Sequence, residues 1–323
     1  MHRLQRRAFL QTSAVGGVAA LAGAHAAATP AAAAEAPRFA HPVIDTHTHF
    51  YDPARPGGVA WPGKDDTLLY RTVLPPDWQQ VAGPCGVTGT IVVEASPLVG
   101  DNQWLIDLAA KHPCIVGVVG RLPLGEDGCA ALIDRFSKHD TFRGVRVRSD
   151  VLQAGFEQPA FMRDIERLAD KGLVVDVIGP DVIAAADRLA KLVPRMHVLL
   201  EHMAGGRIAG TVPDPAWLDG IERAAQRPNT FLKVSHVLQS GMAEQVVPPA
   251  ERYEPWLAAV WQAFGDRRLM FGSDWPVSAR HASYRAIFDA VQRFVHARGE
   301  EAEKWFFAES SKAAYRWTAS PPG

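Results

Sequence analysis

The sequence predicts an α/β fold, a single-domain (β/α)8 TIM barrel, preceded by a cleavable export signal. Two observations carry the barrel. Short apolar, β-branched runs alternate eight times with segments of helical period between residues 41 and 319, the pattern of right-handed parallel crossover units in the size range of such barrels. The runs are also near-continuously apolar, as expected of strands covered on both faces. A doubly wound open sheet is the rival architecture. It would place a glycine-rich nucleotide loop after an early strand, and the sequence has none.

In order, the expected strands are 43–47, 89–94, 115–121, 144–148, 173–178, 197–201, 231–235 and 269–272. Expected helices lie between them at 102–112, 130–138, 159–171, 182–192, 216–226, 255–264 and 283–297, and a closing helix runs over 301–317. No internal repeat and no linker divides this region.

Ahead of the barrel, Arg6-Arg7 precedes Ala8-Phe9-Leu10-Gln11 and an apolar Ala/Gly-rich stretch, and Ala24 and Ala26 frame an A-x-A-like cleavage site. Residues 1–26 thus read as a twin-arginine signal peptide and residues 27–40 as a flexible Ala/Pro-rich linker. The implied partner is the twin-arginine export machinery, and the implied location is periplasmic or secreted. The apolar stretch is too short and too glycine-rich for a stable bilayer span, and no later segment supplies one.

A net charge of −1, from 34 basic and 35 acidic residues, excludes the basic excess typical of a nucleic-acid binder. Cys85, Cys114 and Cys129 have no metal-type spacing and read as small apolar residues.

In a barrel of this kind, chemistry collects at the C-terminal strand ends. The first strand ends in Asp45-Thr46-His47-Thr48-His49. Residues two apart on an extended chain share a face, so both imidazoles can point into the mouth as a metal pair. The sixth strand ends in Glu201-His202 and the eighth in Ser273-Asp274. Four such groups, each at a strand terminus, are hard to explain as packing.

Other strand ends suggest a substrate lining: Glu94, Arg121, Arg146 and Arg148, and, on the seventh strand, Lys233 with Ser235 and His236. Arginine forks suit carboxylated or polyhydroxylated rings. The same arginines and Lys233 can equally pair with Glu94, Glu201 or Asp176 as ion pairs of the barrel. His236 is either an extra active-site imidazole or a surface residue. The long first loop carries Trp61, which with Trp275 is a candidate wall for a planar ring or sugar, or a cover packed for stability.

Ile44-Asp45-Thr46-His47-Thr48-His49-Phe50 resembles the opening H-x-H motif of the amidohydrolase superfamily, and Met270-Phe271-Gly272-Ser273-Asp274-Trp275-Pro276 resembles its terminal aspartate motif. Glu201-His202-Met203-Ala204-Gly205 is similar to the D-H-x-G stretch of the amidohydrolase-related (amidohydrolase 2) branch, which includes lactonases. The resemblance runs from about residue 42 to residue 318. It implies that His47, His49, His202 and Asp274 are the catalytic residues and the ligands of one divalent metal ion, Zn²⁺ before others, or that they work without metal, as some lactonases of the branch do. Asp274 would then be the general base. No Lys or His able to bridge two metals stands at the end of the fourth or fifth strand, which speaks against a binuclear centre.

These readings together point to a hydrolase acting on a small-molecule substrate, a lactone of a sugar acid or small carboxylic acid. Two alternatives share the same residues: a metal-dependent decarboxylase of an aromatic acid, and a non-catalytic exported sugar-binding protein. Amide hydrolysis follows only from kinship at the level of the fold.

Overall fold

In a computed structural model of the protein, which describes residues 38–208, 211–238 and 248–318, eight parallel strands form one sheet in chain order. They are β1 (Ile44–Thr48), β2 (Gly89–Val93), β3 (Ile115–Gly120), β4 (Phe142–Arg148), β5 (Val174–Ile178), β6 (Val198–Leu200), β7 (Thr230–Val234) and β8 (Leu269–Phe271). The ends of the sheet meet. The Asp274 N–H donates to His47 O at 2.8 Å, the His49 N–H to Trp275 O at 2.9 Å, and the Thr46 hydroxyl to Phe271 O at 2.6 Å. These bonds close β8 onto β1 and seat Asp274 beside the first strand's histidines.

Two apolar cores result. Ile44, Ile91, Val93, Val116, Val119, Val174, Leu199, Phe231 and Met270 fill the barrel interior. A larger cluster lies between the strands and the outer helices. The pairing of β1 with β2 shifts register between Asp45 and Thr48. Strict alternation would put Ile44 and His47 on opposite faces; with the shift, Ile44 packs in the inner core and His47 still faces the barrel mouth.

The outer layer comprises α1 (Pro75–Ala82), α2 (Gly100–Lys111), α3 (Cys129–Phe136), α4 (Ser149–Gly155), α5 (Pro159–Asp170), α6 (Val182–Leu192), α7 (Pro215–Ala225), α8 (Ala250–Phe264) and α9 (Tyr284–His296). Local chemistry sets several of their starts. The Asp214 carboxylate accepts from the Trp217 N–H ahead of Pro215, and the Ser283 hydroxyl from the Ala286 N–H.

Two of these helices, α1 and α4, were not expected. In α1, proline at the first helical positions gives up no needed N–H, and Asp77 accepts from the Leu74 N–H. The closing helix also departs from expectation. It runs as α10 (Glu300–Lys304), a π-helical turn (Trp305–Glu309) and α11 (Ser310–Tyr315). The wider turn re-aims the chain so that the adjacent Phe306 and Phe307 are both buried and Tyr315 and Trp317 join the interior core.

The three cysteines are free and buried, and burial pushes their thiols up, that of Cys129 to about 12. Among the described residues no helix is long and apolar enough to cross a membrane. The expected signal peptide lies outside the described residues, as does the linker up to residue 37.

Candidate active site

Backbone conformation at the strand ends brings the polar groups inward. His202, His236 and Asp274 follow β6, β7 and β8, and all three take left-handed φ values of 52°, 66° and 60°. Such values are uncommon outside glycine and concentrate at functional sites. After His202 the left-handed run continues through Met203, Ala204 and Gly205.

Asp274 is the hub. Its Oδ1 lies 3.3 Å from His49 Nε2 and 3.6 Å from His47 Nε2, and its Oδ2 lies 3.1 Å from His236 Nε2. Burial alone would raise this carboxyl. The imidazoles of His202, His236 and His49 reverse the sign and hold it well below the usual carboxylate range. His49 Nδ1 donates to Val93 O at 3.0 Å. That bond turns the other ring nitrogen, Nε2, toward Asp274 Oδ1. Burial pushes His202 down to about 3 and His47 well below the ordinary histidine value. The Ser235 hydroxyl accepts from the His202 N–H at 3.2 Å and lies 3.0 Å from its ring Nδ1.

The donor set fits a cation. His47, His202 and Asp274 each bring one ligand atom within 4.8 Å of the others, and His49 adjoins through Asp274 Oδ1. Both ring nitrogens of His47 are buried without a hydrogen-bond partner, and a bound cation would supply one of them with a partner. Within this set, His47 Nε2 and Asp274 Oδ1 stand 3.6 Å apart, close to the separation of two ligands that each lie about 2.0–2.2 Å from one ion.

Above this cluster opens a cavity of about 570 Å³. Of the sequence-predicted residues, His49, Trp61, Glu94, Arg121, Arg146, Arg148, His202, His236 and Asp274 line it. Trp61 stands edge-on to His49 and Tyr51, in a loop tied to the residues beyond β8 by an ion pair between Asp66 and Arg280. His236 lies at the site, not on the outer surface. Burial raises the Glu94 carboxyl, and Arg146, His49 and Arg121 oppose that rise.

Two expected contacts are corrected. Lys233 is wholly buried beneath the site, where its ammonium donates to Asp176 at 2.6 Å; a charge at that depth requires a partner, so it is an ion-pair residue and not part of the substrate lining. Trp275 packs in the outer core with its carbonyl engaged by the His49 N–H, so it forms no wall of the cavity. Arg146 combines both readings: it donates to Glu201 at 2.8 Å and 2.9 Å and also lines the cavity.

Sequence reasoning assigned no role to Asp45 or Asn102. Asp45 accepts from the Ser273 N–H at 2.8 Å and from the Tyr284 hydroxyl at 2.9 Å, pinning the terminal loop to β1. The Asn102 amide grips the backbone of Arg121 from both sides. The signal for Asp45 was its place in the opening motif; nothing local marked Asn102.

A barrel with histidines at the ends of its first and sixth strands and an aspartate after its eighth defines a hydrolase of the amidohydrolase type. Comparison with known proteins agrees: the amidohydrolase family model matches residues 44–317, and the chain belongs to that family. An L-fucono-1,5-lactonase of Burkholderia ambifaria is 30% identical over 240 residues, covering 73% of this chain and 80% of that protein. An amidohydrolase from Burkholderia multivorans superposes with a TM-score of 0.77 at 23% identity with bound Hepes, and with a TM-score of 0.75 at 23% identity with bound zinc. Both structures cover 86% of this chain and 100% of their own.

Proposed function

We propose that this protein hydrolyses a lactone of a sugar acid or small carboxylic acid. The observation that carries the reading is Asp274, an ionised carboxylate held by imidazoles at the floor of a cavity whose wall bears Arg121, Arg146 and Arg148. The lactonase relative supports the same class of substrate.

In this reading, Asp274 takes a proton from water as the water oxygen attacks the lactone carbonyl carbon. The carbonyl C=O becomes an alkoxide, and the arginine side of the cavity offers donors toward it. When the carbonyl re-forms, the ring C–O bond breaks and Asp274 returns its proton to the departing oxygen. The product is one open-chain hydroxy acid, which remains between Trp61 and the arginines until released. A divalent ion held by His47, His202 and Asp274, with His49 beside them, would add Lewis-acid polarisation of the carbonyl; zinc in the Burkholderia multivorans structure favours that ion.

The test is hydrolysis of a panel of sugar-acid and small-ring lactones by the purified protein, with metal analysis, before and after chelation. We expect turnover of at least one lactone. Activity confined to hydroxybenzoate decarboxylation, or ligand binding without turnover, would overturn the proposal.

A further inference from the structure

We infer that Glu94 and Arg121 are a specificity pair: hydroxyl groups of the substrate ring bridge them, and Glu94 turns away rings that bear a free carboxylate. The inference rests on the lactone reading of the site and narrows it to neutral, hydroxylated lactones.

Among the described residues, the guanidinium groups of Arg121, Arg146 and Arg148 and the carboxyl groups of Glu94 and Asp274 belong to the cavity lining. Three of these five are committed within the protein. Arg146 donates twice to Glu201. Arg148 donates to both oxygens of Asp150 at 3.0 Å. Asp274 sits among imidazoles. The Glu94 carboxyl and the Arg121 guanidinium have neither a hydrogen bond nor an ion pair among the described residues. Two of the three arginine charges are thus cancelled internally, and the third has Glu94 for company.

Both residues are held at the backbone. Val93 pairs with Val119, and the Glu94 N–H donates to Val119 O at 2.8 Å, so the two side chains leave adjacent strand ends. From α2, Asn102 accepts from the Arg121 N–H at 2.9 Å and donates to Arg121 O at 2.8 Å. Glu94 is only 9% exposed, and Arg146, His49 and Arg121 are the cations that act on its charge, which places the carboxyl inside the site.

A secluded carboxylate without partners is costly unless a ligand completes its hydrogen bonds. A hydroxyl suits both members of the pair, because it donates to a carboxylate and accepts from a guanidinium. A ring carboxylate would find a donor in Arg121 but would stand near Glu94, like charge by like charge in a cavity of low dielectric. A bare hydrocarbon ring would leave both groups unpaired.

The test compares three kinds of six-membered lactone on the wild-type full chain and on Glu94→Gln: unsubstituted δ-valerolactone, a set of hydroxylated lactones differing in configuration, and lactones bearing a ring carboxylate. In the wild type, kcat/KM should be highest for a hydroxylated lactone. In Glu94→Gln, its ratio to that of δ-valerolactone should fall by about 10-fold or more, while the same ratio for the carboxylated lactones rises. A merely structural loss would lower all three together. Wild-type preference for a carboxylated lactone, or unchanged ratios in a folded variant, would overturn the inference; if the variant does not fold, the wild-type preference decides. Ligand-observed NMR with anhydroalditols, tetrahydropyran and a tetrahydropyran carboxylate reads the same preference without turnover. An anhydroalditol should bind best, and the carboxylate binding best, or no preference among the three, counts against the pair. Hydroxyl preference in binding without hydrolysis of any lactone would refute the proposed reaction and leave the specificity pair standing.

Discussion

Asp274 is placed by its backbone as much as by its neighbours. Its left-handed φ, its N–H on His47 O and its carboxylate among three imidazoles leave a replacement little freedom to move. Asp274→Asn preserves that shape and removes the basicity. We expect kcat on the lactone found in the screen to fall by about 10² or more, as for loss of general acid–base catalysis. KM should change less, because Arg121, Arg146 and Arg148 are untouched. Steady-state kinetics check this, and near wild-type kcat in the variant would show that another group is the base. At this scale the motif residues were legible because a strand terminus fixes where a side chain goes. The fates of Lys233 and Trp275 were not: local sequence does not say whether a side chain at the end of a strand reaches over the mouth, as Arg146 does, or turns under it toward a carboxylate on another strand.

At the scale of elements, the eight strands were readable because barrel strands carry unbroken β-branched runs whose period admits few alternatives. The helices α1 and α4 and the π-turn were not, since they answer to long-range fit. The seam where β8 meets β1 is such a place. An added Cβ at Gly272 would stand 2.9 Å from the His47 Cβ and 3.3 Å from the Ser235 Cβ, wedging three strands apart beside the site. Gly272→Ala should cost about 1–3 kcal/mol, the usual range for overpacking, and should lower lactone turnover by displacing His47. Gly100→Ala, where nothing lies within 4 Å of the added atom, should be neutral in both. Thermal melts and kinetics on the two variants test this; equal behaviour would mean that the seam is slack.

Over the whole molecule, the site exists only when both ends of the barrel region have come together. His47 and His49 come from the first strand and Asp274 from beyond the last, and Tyr315 and Trp317 close the interior from the C-terminal segment. A partly threaded chain would have neither a closed barrel nor a complete ligand set. We propose that the protein is exported already folded, with Arg6-Arg7 and the apolar stretch after it as a twin-arginine signal. These residues lie outside those the structure describes, so the proposal stands on sequence together with the fold's need for closure. Replacing both with lysine keeps the charge and removes the guanidinium pair, so a merely basic tail would be unaffected. We expect the Arg6→Lys/Arg7→Lys precursor to stay in the cytoplasm at full length, folded and active on the same lactone, while the wild-type protein is processed and recovered outside it. Cell fractionation with immunoblotting of both size forms makes the measurement, and normal processing and export of the double variant would dispose of the twin-arginine reading.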